Sequence, residues 1–375
     1  MKKYITTNII LSVLIAAGFF ISLASCNKKL EEAVPITFPK TGDTTIGGIL
    51  NQDTTLSIFR AAALRVGVLA SLMDNNNSFT AFIPNNAAFR ASGIASAAVI
   101  GALPITSVGG IVNYAIIPGE KYASTDIPTT FPNLELPSSL TIGTLPGTPV
   151  PIKLPIFPSR RSTGFWANNI PVVAPDQRVQ NGIIHRVAVI VAPPSLILAQ
   201  IIYGDPKLSL FSAAIARGDS GQVGLNKIDS AIRFPLANLT VFAPTDTAIK
   251  KYISAATGGL IPVGAPNAVF VGFINTSIPA RTAQGLVAYH FMGVRAFSVN
   301  FPTTAAYFPT LLNGAIPSHP GVLVQATIIG GFGAALTVTG VGNGGLPAVS
   351  TAPVNLDKNA VNGVVHVIDR LLLPQ

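Results

Sequence analysis

The 375-residue chain reads as an α+β protein of two tandem domains. Three observations predict this. First, three blocks occur twice and in the same order: ILNQDTTLSIFRAAALR (49–65) with IIYGDPKLSLFSAAIAR (201–217), FTAFIPNNAAF (79–89) with LTVFAPTDTAI (239–249), and NGIIHRVAVIVAPP (181–194) with NGVVHVIDRLLLPQ (362–375). A period of roughly 150–180 residues is too long for a solenoid unit and suits two complete domains. Second, each copy opens with apolar residues at helical spacing. Third, the later part of each copy is rich in β-branched residues, Gly and Pro. Helices first and strands after argue an α+β fold.

The N-terminus reads as an export leader over residues 1–25. Lys2 and Lys3 precede the apolar stretch Ile9–Leu23, and Leu23-Ala24-Ser25-Cys26 closes it. A short apolar core followed by small residues is a signal peptide rather than a span. The closing tetrapeptide resembles a bacterial lipobox, which makes Cys26 the lipid attachment site. Cys26 is the only cysteine, so an exported protein of this sequence has no intramolecular disulfide. Its stability must come from buried apolar surface, and a composition 49% hydrophobic and 10% charged allows that. Residues 26–45, polar with Pro and Thr, form a tether.

The first domain is expected over 46–194. Leu56, Phe59, Ala63 and Val66 fall on one helix face, and Asp53 precedes the helix as a cap. Phe79, Ala81 and Ile83 alternate as a strand that Pro84 stops, and Asn85 suits the N-cap of a following helix. The second domain, 195–375, repeats this with Asp205, then Leu208, Phe211 and Ile215, then LTVFAP with Thr245 and Asp246. Pro193-Pro194 limits the link between the domains. Val322–Ile329 and the alternating stretch around Leu336 and Val338 flank a Gly-rich turn, a β-hairpin signal. No membrane span is read after Cys26.

The net charge of +9 is diffuse. No basic run is longer than a pair, as at Lys28-Lys29 and Arg160-Arg161, so the clustered Lys and Arg of a nucleic-acid binder are missing. Acidic residues number 15 and are dispersed, with no carboxylate pair for glycoside hydrolysis and no metal-ligating cluster. Gly218-Asp219-Ser220-Gly221 has the letters of a protease nucleophile loop without its flanks; a triad is recognised by geometry, not by four letters. Gly340–Gly345 satisfies GxGxxG, but no helix opens after it, as a dinucleotide site requires. No catalytic residue, metal or cofactor is read.

The paired blocks resemble the fasciclin (FAS1) family: a TVFAPTDxAF-like block, a central block (NYAIIPGEKYASTDI at 113–127, AYHFMGVRAFSVNF at 288–301) and a terminal NGVIHVID-like block. The resemblance covers nearly all of 46–375. It implies two FAS1-like domains, each a wedge of β-strands flanked by helices, and adhesion through protein or glycan contact outside the cell. No catalytic site is implied. The family-motif residues are Tyr114, Asn181, Gly182 and His185 in the first copy, and Tyr289, His290, Asn362, Gly363, His366 and Asp369 in the second. Ala115 stands where the central His would sit, and Val187-Ala188 matches Ile368-Asp369.

Each motif residue has a plainer reading. His185 and His366 lie in apolar strands as ligands or, preferably, as core-edge rings bonded to backbone, since no carboxylate or second histidine lies at ligand spacing. Asn181-Gly182 and Asn362-Gly363 read as tight turns that set strand register. Tyr114 and Tyr289 are recognition residues or, preferably, buried rings with bonded hydroxyls. The functional expectation is a lipid-anchored, exported adhesion or binding protein of the cell envelope, in the outer membrane or at the cell surface. Its partners are the membrane through the lipid, and an envelope or extracellular protein or glycan. The alternative is a glycan-capture lipoprotein serving an uptake system. Trp166, the one tryptophan, is the aromatic platform if exposed.

Overall fold

The computed structural model of the chain describes residues 44–375 apart from 146 and 353. The leader, Cys26 and nearly all of the tether lie outside the described residues. The sequence-predicted helices form where the patterning places them. In the first half Asp53 caps a short 3-10 turn by accepting the Thr55 N–H, and the helix Ser57–Arg65 follows. Asp205 does the same through Lys207 ahead of Ser209–Gly218. Asn85 accepts from the Ala88 N–H and Thr245 from the Ala248 N–H, so both N-caps predicted after the strands are made.

Each half is organised on one parallel strand pair drawn from opposite ends of its sequence. Phe79–Pro84 pairs with Gly182–Val187 in register Phe79↔Gly182, and Leu239–Pro244 pairs with Gly363–Ile368 in register Gly363↔Leu239. Ile116–Pro118 and Phe291–Met292 flank the entering strands antiparallel. The first sheet continues from Gly182–Val187 through Ile170–Val179 and Gly164–Ala167 to Pro158–Arg161 at its edge. The second half carries a separate four-stranded antiparallel sheet with Ala306–Phe308 at one edge, then Val322–Ile329, Phe332–Thr339 and Ala348–Thr351. The predicted hairpin is the centre of that sheet, turning at Gly330-Gly331.

The division into helices first and strands after is therefore too coarse, because a strand from each helical half is central to its sheet. Every residue of all four paired strands is buried. Alternation in FTAFIP divides two cores rather than core from solvent, as expected for a parallel pair covered on both faces. Ala81 and Ile83 join Phe59 and Phe89 under the helices, while Phe82 joins Tyr114, Ile156 and Phe165 on the other face. Val241 and Ala243 likewise meet Phe211 and Phe270, and Phe242 meets Tyr289, Val324 and Leu336.

The described residues nonetheless make one compact unit. A fifth cluster joins Phe157 and Trp166 to Phe297, Val299 and Val364. Trp166 donates its indole N–H to the Gly331 carbonyl at 2.7 Å, at the hairpin tip of the other half. Arg295 is buried with its Cζ 4.3 Å from the Phe157 ring centroid. Among the described residues, no helix is long and apolar enough to cross a membrane.

Candidate functional site

The motif residues are spent on holding the fold. Asn181 accepts the Ile46 N–H at 2.8 Å and donates to the carbonyls of Leu72 (2.9 Å) and Asp74 (3.0 Å). Asn362 repeats the clamp with the Leu198 N–H at 2.8 Å and the Ile232 and Phe234 carbonyls at 2.9 Å. Each clamp satisfies a free N–H at the first helix of its half. The Asn-Gly turn reading is corrected in register. The turn pairs are Gln180-Asn181 and Val361-Asn362, since Val179 already pairs with Gly182 and Ala360 with Gly363. The glycines are the first strand residues. A Cβ on Gly182 would sit 2.4 Å from the Phe79 oxygen, and one on Gly363 2.3 Å from the Leu239 oxygen.

All four histidines of the chain bond backbone through both ring nitrogens. In His185 and His366, Nδ1 accepts the N–H of Asp176 (3.2 Å) and Asp357 (3.3 Å). Their Nε2 donates to the Tyr122 (2.9 Å) and Ala296 (3.1 Å) carbonyls. In His290, Nδ1 donates to the Leu286 carbonyl at 2.8 Å and Nε2 accepts the Leu372 N–H at 3.0 Å. His319 accepts from the Gly321 N–H and donates to the Pro374 carbonyl. Burial pushes the pKa of His185, His290 and His366 down, that of His290 to about 4. These rings are neutral, and neither nitrogen is available to a metal or substrate.

An aspartate does meet each strand histidine through its backbone N–H, which spacing along the chain concealed, and the Asp357 carboxylate also lies 3.8 Å from His366 Nδ1. Asp176 and Asp357 lie nine residues ahead of their histidines, both with left-handed backbone (φ 63° and 54°). Asp357 accepts from the Ser298 N–H at 2.7 Å and hydroxyl at 2.6 Å, and Asp176 accepts the same two donors of Ser124. Burial raises the Asp176 pKa, but the bonds from Ser124 outweigh it and leave the carboxyl below its ordinary value. Ser, Asp and His thus meet twice without forming a nucleophilic triad. The hydroxyl donates to the carboxylate, and no base faces its oxygen.

Tyr114 and Tyr289 are buried and donate to the Pro155 (2.9 Å) and Gly321 (2.7 Å) carbonyls. Ala115, in place of the central histidine, is a buried apolar residue. Asp369 is exposed and accepts the Val349 N–H at 2.7 Å. Asp219 caps the helix Ile228–Arg233 through the N–H groups of Ile228 and Asp229, so its loop is structural. In Gly340–Gly345, side chains at Gly340 and Gly342 would strike the C-terminal backbone at Leu373 and Gln375. Trp166 is 1% exposed and is no platform; its indole is committed to the contact between the halves.

A cleft of about 400 Å³ opens where the halves meet. The first half supplies Thr129, Thr130 and Phe131 from one loop, and Arg161, Ser162 and Thr163 from the end of its edge strand and the following turn. The second half supplies Asn300–Thr304 and Phe308. Phe131 inserts beside Phe301 (5.8 Å) and Phe308 (5.7 Å), and Arg161 lies 4.9 Å from the Phe131 centroid. Arg161 Nε donates to the Asn300 carbonyl and Nη2 to Asn133 Oδ1 at 2.7 Å. Asn300 in turn donates to Ser159 Oγ at 2.6 Å. Of this set, the sequence patterns touch only the Arg160-Arg161 pair and Asn300 and Phe301 at the end of the second central block.

A family model described as the Fasciclin domain matches residues 54–193 and again 222–374. Among solved structures, a FAS1 domain pair from the insect cell adhesion molecule fasciclin I is similar at 15% identity, covering 86% of this chain and 98% of that one with a TM-score of 0.35. No curated protein matches the chain. Fasciclin domains are associated with cell adhesion. The two family matches cover well over half of the sequence, and the chain belongs to the Fasciclin domain family as a tandem pair.

Proposed function

We propose that this protein is an exported, lipid-anchored binding protein of the cell envelope that works by adhesion rather than by catalysis. The observation that carries this reading is the commitment of the motif side chains to internal backbone bonds. A fold held this way presents function on its surface loops and at the junction of its halves. Cys26, at the end of an apolar leader, is the residue proposed to carry the lipid and so to place the pair at the outer membrane or cell surface. The test is fractionation and fatty-acid labelling of cells expressing the full chain. The wild type is expected in the membrane fraction with label on Cys26, and Cys26→Ala in the soluble fraction without it. Attachment of those cells to a coated surface should fall in parallel. Unlabelled Cys26 sinks the anchor, and equal attachment by non-expressing cells sinks the adhesion role.

A further inference from the structure

We infer that the cleft between the two domains binds an acidic saccharide, a chain of sugars bearing carboxylates. This rests on the reading of the pair as a binding module and names the ligand class. Six hydroxyl side chains line the cleft, four from the first half (Thr129, Thr130, Ser162, Thr163) and two from the second (Thr303, Thr304), and all six are exposed. Hydroxyls both donate and accept, which matches the hydroxyls of a sugar ring. Phe131 and Phe308, each only half-buried, offer the apolar surface on which a pyranose face packs. The volume lies in the range of small-molecule sites and far exceeds what a lone inorganic anion fills.

Arg161 sets the charge. Among the described residues no carboxylate lies within ion-pair distance of it, and no acidic residue lines the cleft. Its bonds run to neutral acceptors on Asn133, Asn300, Pro128 and Arg160, which fix the guanidinium without cancelling its charge. Partial burial in this low-dielectric setting strengthens its pull on an anion. Hydroxyls, aromatic edges and one uncompensated cation together favour a carboxylated sugar over an acidic peptide, which calls for several cations.

The test is calorimetric titration of the full-length protein in detergent with hexagalacturonate, neutral maltohexaose and hexaglutamate, at low and high salt. Hexagalacturonate is expected to bind, more weakly as salt rises, while the other two do not. Arg161→Met keeps the stem over Phe131 but removes the charge, and should weaken binding at least tenfold. Thr303→Tyr, at an exposed loop position, fills the cleft and should abolish binding with the melting temperature unchanged. No binding of hexagalacturonate overturns the inference. So does binding that survives Thr303→Tyr, or equal affinity for maltohexaose or hexaglutamate. Sugar binding by the purified wild type, with wild-type cells attaching no better than non-expressing cells, sinks the adhesion reading alone.

Discussion

The histidines show what local bonding does to chemistry. A ring that accepts at one nitrogen and donates at the other is already saturated in its neutral form. Protonation forces a backbone N–H to face a second proton in a buried place. The sign of the pH dependence follows. The folded pKa values of His185, His290 and His366 lie below the ordinary 6.5, so the unfolded chain binds protons more readily. Their contribution to stability is complete above about pH 6.5 and is lost as pH falls below it, that of His290 down to about 4. Each pH unit between folded and unfolded values is worth about 1.4 kcal/mol. Asp53, Asp176 and Asp205 have lowered values too, and their contribution disappears only below their ordinary 3.8. Thermal melts of the protein are expected to be level from pH 8 to 6.5, then to drop between pH 6.5 and 4, before the carboxylates titrate. A flat profile down to pH 4 contradicts this assignment.

At the scale of elements, the two asparagine clamps join parts of the chain that are remote in sequence. Asn181 ties the start of the helix Ile46–Gln52 and the end of Leu69–Met73 to the final hairpin. Asn362 does the same for Leu198–Gly204 and Ile228–Arg233. Removing either amide leaves one buried N–H and two carbonyls without their partner. Asn181→Ala or Asn362→Ala should cost about 2–4 kcal/mol, more than a single hydrogen bond because several groups are orphaned together. The midpoint of urea unfolding measures it, and a loss under about 0.5 kcal/mol would show the clamp to be idle. The ion pairs Arg186–Asp53 at 3.0 Å and Lys358–Asp205 at 3.1 Å run alongside, each tying a helix-capping aspartate to the closing hairpin.

For the whole molecule, the contact between halves decides how the pair behaves. Each half has cores on both faces of its own parallel strand pair, yet Trp166, Phe157, Phe297, Val299 and Val364 form a cluster that neither half completes alone. Gly331 has φ +83°, and a Cβ there would sit 3.1 Å from the Pro171 side chain, so both backbone and close approach favour glycine at the hairpin tip. Buried Arg295, its pKa pushed down to about 10 by burial, is held by Asn238, Asn359 and two carbonyls against Phe157. The pair is expected to unfold calorimetrically in one transition. Trp166→Ala removes the indole from this seam and should cost about 3–5 kcal/mol. It should also split the melt into two transitions. Two transitions in the wild type would mean that the seam does not couple the halves.

The sequence by itself determined the duplication, the caps at Asp53, Asn85, Asp205 and Thr245, the Val322–Thr339 hairpin and the family. These are local signals, and a repeated pattern fixes local structure because propensity, capping and periodicity act over a few residues. It did not determine that Phe79–Pro84 pairs with a strand about a hundred residues later, that Asp176 and Asp357 turn back onto their histidines, or that Trp166 closes the seam. Those are contacts between residues far apart along the chain, and only the packed structure brings them together. The cleft belongs to this second kind. Arg161, Phe131, Thr303 and Phe308 share no motif, and the charge and shape they make exist only because two domains meet there.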